Sequence, residues 1–556
     1  MSNAWLSRAG HLALRAAVLS GHYRFIAGSH DLERVQRARL ASLLCQVSAV
    51  DGRMDSRWRW EDFCARVPVT TWRDWQPMVD RQRETHQRLL IDSPVERYQP
   101  TSGSTSAIKW IPYTRQLLAE FDAAISPWLG DLYRAHPGVR RGHHYWSLSW
   151  LPTSMRAGQH GELNDDMTLL SSGKRILTQV TQAVPSGAAL APTSDGSLWV
   201  TLAYLAADRQ LSAISVWSPT FALNLLERMG DWRQELAEML ERGDWRARVA
   251  HAGPLPCPRS PRSAALLRAW SGVPDAAFFA ELWPQLALVS AWDTAGAEPW
   301  AQRLRMLLAH AAFQGKGLWA TEGALTIPFR GQHTLAYRSH VVEFEDLDSG
   351  LVLAPWQLRE GQQVSPLIST GSGLLRYRMN DILRVGGHFG SVPTLEFMGR
   401  DDGCDLVGEK IGSTFAQAVI EKILDGSGLL PVTLLALDDA GRGRPGYVLL
   451  LDDEQDGMTE TRKMLLAGRL ERALCRHFHY ELARSLGQLD IAHVACAPGL
   501  RRTYADLCRF TGMIDGNIKM EPLRRWRGGQ PVALMNLLAA SVADATPVLR
   551  PKEPVM

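Results

Sequence analysis

YQPTSGSTSAIKWIP, residues 98 to 112, is the most informative stretch of this 556-residue chain, because Thr101, Ser102, Gly103, Ser104, Thr105 and Ser106 crowd together ahead of Lys109. Small side chains let backbone N–H groups approach phosphate oxygens closely, hydroxyls add donors, and the lysine supplies a compact positive charge. The stretch reads as a triphosphate cradle. It is not a Walker loop, since GxxxxGK[ST] is absent. A solvated turn is the other reading its composition allows, so the choice rests on what accompanies it.

Upstream, residues 1 to 95 are rich in Leu, Ala, Trp and Arg at helical spacing until Pro94 and Pro100 interrupt the pattern. Downstream, TRQLLAEFDAAISPWLGDLYRA (114–135) predicts a helix and HYWSLSWLP (144–152) a buried strand. Short apolar runs such as LSAISVW, LALVSAW and KGLWAT then alternate with longer helical patterns as far as residue 400. That alternation predicts an α/β sheet body. A second regime begins near Gly399: PVTLLALDD and GYVLLLDD, joined by AGRGRP, predict a hairpin, a long helical pattern runs from Met458 to Leu486, and IAHVACA is a further strand. We therefore expect a large domain over 1–400, a small α+β lid domain over 401–545 and a loose tail over 546–556.

Lys and Arg total 61 against 58 Asp and Glu, a formal charge of +3, so no broad field for nucleic acid or anionic membrane is expected. Seven cysteines (45, 64, 257, 404, 475, 496 and 508) form no CxxC or Cys/His ligand spacing and read as reduced thiols of a cytoplasmic protein. AWLSRAGHLALRAAVLSGHY (4–23) superficially resembles a secretion signal, but Arg8, His11 and Arg15 interrupt it at helical spacing, which predicts an amphipathic first helix. No apolar run is long enough to span a membrane. His143-His144 and His477/His479 lack the i, i+4 spacing for a shared metal, no GxSxG elbow occurs, and the 20 tryptophans read as core and pocket wall.

Three further segments follow the Ser/Thr/Gly stretch in order: LWATEGA (318–324), LLRYRMNDILRVGG (374–387) and FMGRDDGCDLVGEKI (397–411). Together they resemble the motifs of the adenylate-forming enzymes. With LWPQLALVSAWDTAGAEPWAQRL and VVEFEDLD around them, they resemble one branch, the plant auxin-responsive (Gretchen Hagen type) acyl acid-amido synthetases and their bacterial relatives, from about residue 90 to residue 525. The resemblance implies a large multilayer adenylate-forming domain and a smaller, mobile C-terminal domain.

It also implies a role for each matching residue. Thr101, Ser102, Gly103, Ser104, Thr105 and Lys109 would hold the β/γ phosphates of ATP, and Thr321 would neighbour the α-phosphate. Glu322 would hold Mg²⁺ with phosphate oxygens, a task for a hard carboxylate. Asp381 would accept from both ribose hydroxyls, Tyr377 would stack near adenine, and Arg400 would lie on the ribose or α-phosphate side. Asp401 or Asp402 would be the hinge, and Lys410 and Lys519 would approach the phosphates from the mobile domain, with Lys519 serving adenylation. Ala320 and Thr321 stand where plant members usually have serines, and Met379-Asn380 replaces Val-Gly, which leaves the charges intact but loosens inference about the acid.

The implied reaction joins a carboxylic acid to AMP with loss of pyrophosphate, then passes the acyl group to an amine, an amino acid first among them. The acid needs no general base, being ionised at neutral pH. Transfer to coenzyme A or a carrier thiol uses the same first step, and an idle acid- or nucleotide-binding relative is the third reading. Trp146, Ser147, Thr178, Val180 and Trp217 are candidates for the acid pocket, with a plain core role as the alternative. No obligate protein partner is implied.

Overall fold

The strands that flank the hydroxyl-rich stretch, Val95–Pro100 and Trp110–Thr114, pair antiparallel with Pro100 opposite Trp110. The computed structural model describes residues 4–100, 109–150, 164–165, 169, 172–252, 254–400, 403–438, 444–453, 457–510, 513 and 518–526. Thr101 to Thr105, Asp401 and Asp402 lie outside the described residues. The hairpin is clamped from the helix Trp72–Thr85, where the Arg83 guanidinium sits 4.5 Å from the Trp110 ring and 5.6 Å from that of Tyr98. Thr114 ends the second strand and caps the helix Arg115–Ala135: its hydroxyl accepts from the Leu117 N–H at 3.1 Å and donates to the Gly371 carbonyl at 2.5 Å.

The chain divides into two compact units, one built mainly from residues 1–294 and 300–398 and the other mainly from 399–513 and 518 onward. In the first, strands His143–Trp146, Leu211–Ser215, Leu288–Ala291 and Ala312–Gly315 lie side by side, all parallel. Tyr145, Ile214, Val289 and Phe313 are in register across it. Near-continuous apolar runs such as LSAIS and LVSA suit a sheet covered on both faces. Gly142 permits the first strand to start, because a Cβ there would fall 1.6 Å from the Gln210 carbonyl oxygen.

The same unit holds an eight-stranded antiparallel sheet whose order runs Thr326–Phe329, Gln332–Leu335, Val392–Arg400, Asp381–Phe389, Gln363–Ser369, Val341–Asp346 and Val352–Leu353, with Tyr377–Arg378 also paired to Gln363–Ser369. Phe25 of the helix Ala4–Gly28 packs against Phe329 and Tyr337 at ring separations of 4.8 and 4.7 Å. Burying an aromatic ring of this kind contributes about 2–3 kcal/mol.

The second unit is a four-stranded sheet ordered His493–Ala497, Gly446–Asp452, Leu430–Leu437, Leu523–Trp526. Its central pair is the antiparallel hairpin expected from PVTLLALDD and GYVLLLDD. Tyr447, Leu449, Leu470 and Tyr480 form its core with the helices Ser413–Leu424, Glu460–Leu474 and Phe478–Ser485.

Two local expectations are corrected. The helical pattern from Met458 to Leu486 is two helices, because His477 takes an extended conformation (φ −82°, ψ 114°) between them. In the first helix His11 belongs to the buried face, not the polar one: it is fully enclosed, its Nε2–H donating to the Gly142 carbonyl at 2.8 Å and its Nδ1 accepting from the Tyr133 hydroxyl at 2.9 Å. Among the described residues no helix is long and apolar enough to cross a membrane.

Candidate active site

Tyr377 begins as a sheet residue and ends as a link between motifs. Its strand is held by two arginines on either side of it in sequence: Arg376 makes paired bonds of 2.9 Å to the buried Glu343, and Arg378 bonds Glu345 at 2.9 and 3.0 Å. Thr70 adds backbone bonds to Arg376 and Arg378, each 3.0 Å. Fixed in this way and 3 % exposed, Tyr377 donates its hydroxyl to Glu322 Oε1 at 3.3 Å and accepts from Lys109 Nζ at 3.2 Å. Three sequence motifs that lie far apart in the chain thus meet at one phenolic oxygen.

Glu322 sits in the tight turn of the hairpin Trp319–Ala320 and Gly323–Ala324. The Thr321 carbonyl accepts from the Tyr113 hydroxyl at 3.0 Å, on one flank of the turn. On the other, the Ala324 N–H donates to His340 Nε2 at 3.0 Å. That acceptor role puts the imidazole proton on Nδ1, which donates to Glu120 Oε2 at 2.8 Å. Glu120 also accepts from the Gly371 N–H at 2.8 Å and from Arg39 at 3.0 Å, so this buried carboxylate is paired and hydrogen-bonded as burial requires. Gly323 is needed because a Cβ there would stand 2.7 Å from His340 Nε2.

Asp381 lies four residues past Tyr377 at the start of the strand Asp381–Phe389, after Asn380 in the left-handed region (φ 61°), and its side chain is buried. Arg400 closes the strand Val392–Arg400. In the second unit, Glu409 is fully buried and accepts from the Leu406 and Val407 N–H groups, both at 2.8 Å, and from the Tyr447 hydroxyl. This anchor presents the next residue, Lys410, to the surface in a left-handed conformation (φ 49°). Lys519 is likewise exposed between the buried Ile518 and Met520.

Of the candidate acid-pocket residues, Trp146 and Trp217 face one shared group, the ammonium of Lys316, at 6.0 and 4.3 Å. Ser147 is buried beside Trp146. Thr178 and Val180 lie on the helix Ser172–Thr181, where the Thr178 hydroxyl donates to the Lys174 carbonyl at 2.7 Å and Val180 is 37 % exposed. The histidines singled out for their proximity have other partners: His143 bonds Asp208 at 2.8 Å and His144 bonds the Val139 carbonyl at 2.7 Å. Among the described residues no group of three or more His, Cys, Asp or Glu could hold a metal. Tyr113, Glu120 and His340, which brace the turn that carries Glu322, and Lys316, which faces Trp146 and Trp217, were not singled out by the sequence reading.

The α/β body with a smaller α+β unit is the fold of solved acyl acid amido synthetases. The GH3.15 acyl acid amido synthetase superposes with a TM-score of 0.76 over 95 % of this chain and 96 % of that one, at 17 % identity. The AtGH3.15 acyl acid amido synthetase in complex with 2,4-DB gives a TM-score of 0.75 with the same coverage and identity. The GH3 family N-terminal domain matches residues 24–313 and the GH3 family central domain residues 333–400. The chain belongs to the GH3 family. No curated protein sequence matches it.

Proposed function

We propose that the chain is an AMP-forming ligase: it activates a carboxylic acid with ATP as the acyl-adenylate and transfers the acyl group to an amine, an amino acid in the first instance. The observation that carries this reading is the meeting of Lys109, Tyr377 and Glu322 at one phenolic oxygen, in a chain of the GH3 family. A lysine, a hydroxyl and a carboxylate so arranged fit a nucleotide phosphate and its counter-cation. A single hard carboxylate beside phosphate oxygens is the usual protein contribution to a Mg²⁺ site. Magnesium, when bound at Glu322, supplies neutralisation of phosphate charge.

In this reading Lys109, with backbone and hydroxyl donors from Thr101 to Thr105, holds the outer phosphates, and Thr321 adjoins the α-phosphate. Asp381 accepts from the ribose hydroxyls, and the Tyr377 hydroxyl, bonded to Lys109 and Glu322, lies on the phosphate side of the nucleotide and not stacked near adenine. Lys519, Lys410 and Arg400 add positive charge where pyrophosphate departs, with Asp401 and Asp402 as the turning point. The residues align the acid's carboxylate with the α-phosphorus and stabilise developing charge, which is where such a site gains most of its rate. The amine must arrive unprotonated. Seven cysteines that read as reduced thiols support a cytoplasmic setting for these small-molecule substrates.

The test is AMP release from ATP, Mg²⁺ and a panel of acids, each with amino acids, with coenzyme A, or with neither. Release that depends on the amino acid is the expected result. Release that depends on coenzyme A instead would assign a thiol acceptor, and no acid-dependent release under any condition would overturn the reading.

A further inference from the structure

The first helix, Ala4–Gly28, is apolar on two opposite faces. Its inner face puts Leu14, Val18 and Phe25 into the core of the first unit. Glycines seat it there closely: a Cβ at Gly21 would fall 2.6 Å from Ser126 Cβ, and one at Gly10 3.1 Å from Thr181 Cγ2. The helix is thus held against the helices Arg115–Ala135 and Ser172–Thr181, and its outer face is a fixed platform.

On that outer face Trp5 is 65 % exposed, Leu12 59 %, Leu19 41 % and Tyr23 62 %, with Ala9 and Ala16 exposed between them. Trp5, Ala9, Leu12, Ala16, Leu19 and Tyr23 stand alternately four and three residues apart, the heptad spacing of a seam that packs on another helix. The stripe is about 27 Å long at the rise of an α-helix. A monomer rarely shows water so extended an apolar surface.

The order of large and small side chains says which helix fits. Two copies laid antiparallel, with a two-fold axis at the level of Leu14, set Leu12 opposite Ala16 of a second copy and Leu19 opposite its Ala9, with Trp5 against Tyr23 at each end. Every leucine then fills the space over an alanine, as a close-packed seam requires. Parallel pairing would stack leucine on leucine and alanine on alanine, leaving gaps at the alanines. Side chains of these sizes and exposures offer about 600 Å² a side, the lower end for specific pairs of proteins.

We propose that this face pairs with its equal in a second copy of the chain, the two helices antiparallel across a two-fold axis. The charges set the salt response. Arg8 and Arg15 each precede a seam alanine and line one edge of the stripe, and residues 4–28 include no Asp or Glu. Antiparallel pairing brings like edges together, so the arginines of the two copies repel, and salt screens that repulsion. Self-association therefore tightens with salt, whereas docking on an acidic partner or an anionic lipid surface would loosen.

The experiment is sedimentation velocity of the full chain and its variants at rising protein and salt concentration, after thermal melts establish that each is folded. We expect a monomer–dimer equilibrium with Kd on the order of micromolar that salt shifts toward dimer. Leu12→Glu should be monomeric. Ala16→Leu should weaken the dimer about tenfold, because the added side chain meets Leu12 of the other copy. Leu12→Ala combined with Ala16→Leu exchanges the two sizes and should restore it. A chain monomeric at every concentration, or a dimer indifferent to Leu12→Glu, overturns the inference. Tightening by Ala16→Leu would mark a merely adhesive face and overturns the antiparallel fit. A monomer that co-sediments with phosphatidylglycerol vesicles, and loses this with Leu12→Glu, gives the face to a lipid surface and overturns self-pairing.

Discussion

Tyr377 donates its hydroxyl to Glu322 across 3.3 Å, joining segments 55 residues apart. With Lys109 on the other side of the same oxygen, the phenol fixes the spacing between a cation and an anion that would each serve a nucleotide. Tyr377→Phe keeps the ring and its packing but frees both charged partners. Hydrogen bonds to charged groups are worth about 1.5–3 kcal/mol, so kcat/KM in acid-dependent exchange should fall about tenfold or more. The same loss should lower the thermal midpoint, so the comparison is made at a temperature where both proteins are folded, and unchanged kinetics would show that the link does not organise the site.

Gly323→Ala tests the support behind Glu322. The added methyl meets His340 Nε2 at 2.7 Å, and that ring is braced by Glu120, itself 3 % exposed and bonded to Arg39 and Gly371. Overpacking against such a rigid network costs about 1–3 kcal/mol. Both denaturation midpoint and exchange rate should drop. A variant as stable and active as the parent would mean that the hairpin turn shifts freely.

Lys519→Ala separates chemistry from folding. Lys519 is exposed while its neighbours Ile518 and Met520 are 3 % and 7 % exposed, so its removal should alter stability by no more than about 0.5 kcal/mol. Acid-dependent pyrophosphate release should nevertheless be strongly suppressed. The same reasoning applies to Lys410, whose side chain is exposed beside the fully buried Glu409. Full release by Lys519→Ala would remove this lysine from the adenylation step.

Much of this arrangement can be read from local pattern, and the remainder is set by contacts that pattern does not encode. Lys109, Glu322 and Tyr377 stand in motifs whose order in the chain is informative by itself. Glu120 and His340 are 220 residues apart, and nothing in AEFD or RSHV indicates that one braces the other. Lys316 was read only as the start of a strand-like run, because a lone lysine in sequence is usually solvated. Periodicity located the first helix but misplaced His11 on it, since an imidazole counts as polar until a carbonyl and a phenol are found to satisfy it. The extended His477 that divides the later helical pattern is not signalled by periodicity; its ring meets Phe415 at 5.3 Å in the second unit.

The enclosed histidines His11 and His144 make stability depend on pH. Burial lowers the pKa of His11 to about 4, opposed by its bond to Gly142 and reinforced by the charges of His143 and Arg140. His144, 4.2 Å away between ring centroids, is depressed in the same direction by burial and by His11. Both are neutral when folded and protonate more readily when unfolded, near pH 6.5. The unfolded chain therefore takes up more protons across that interval. Their contribution is complete above pH 6.5 and is lost as pH falls toward 4, at about 1.4 kcal/mol per unit for each histidine. Denaturation midpoints measured at pH 7.5, 6 and 4.5 should decline for the parent, and His11→Gln, which can still donate to Gly142 and accept from Tyr133, should decline less steeply. Equal slopes would place the acid sensitivity in other groups.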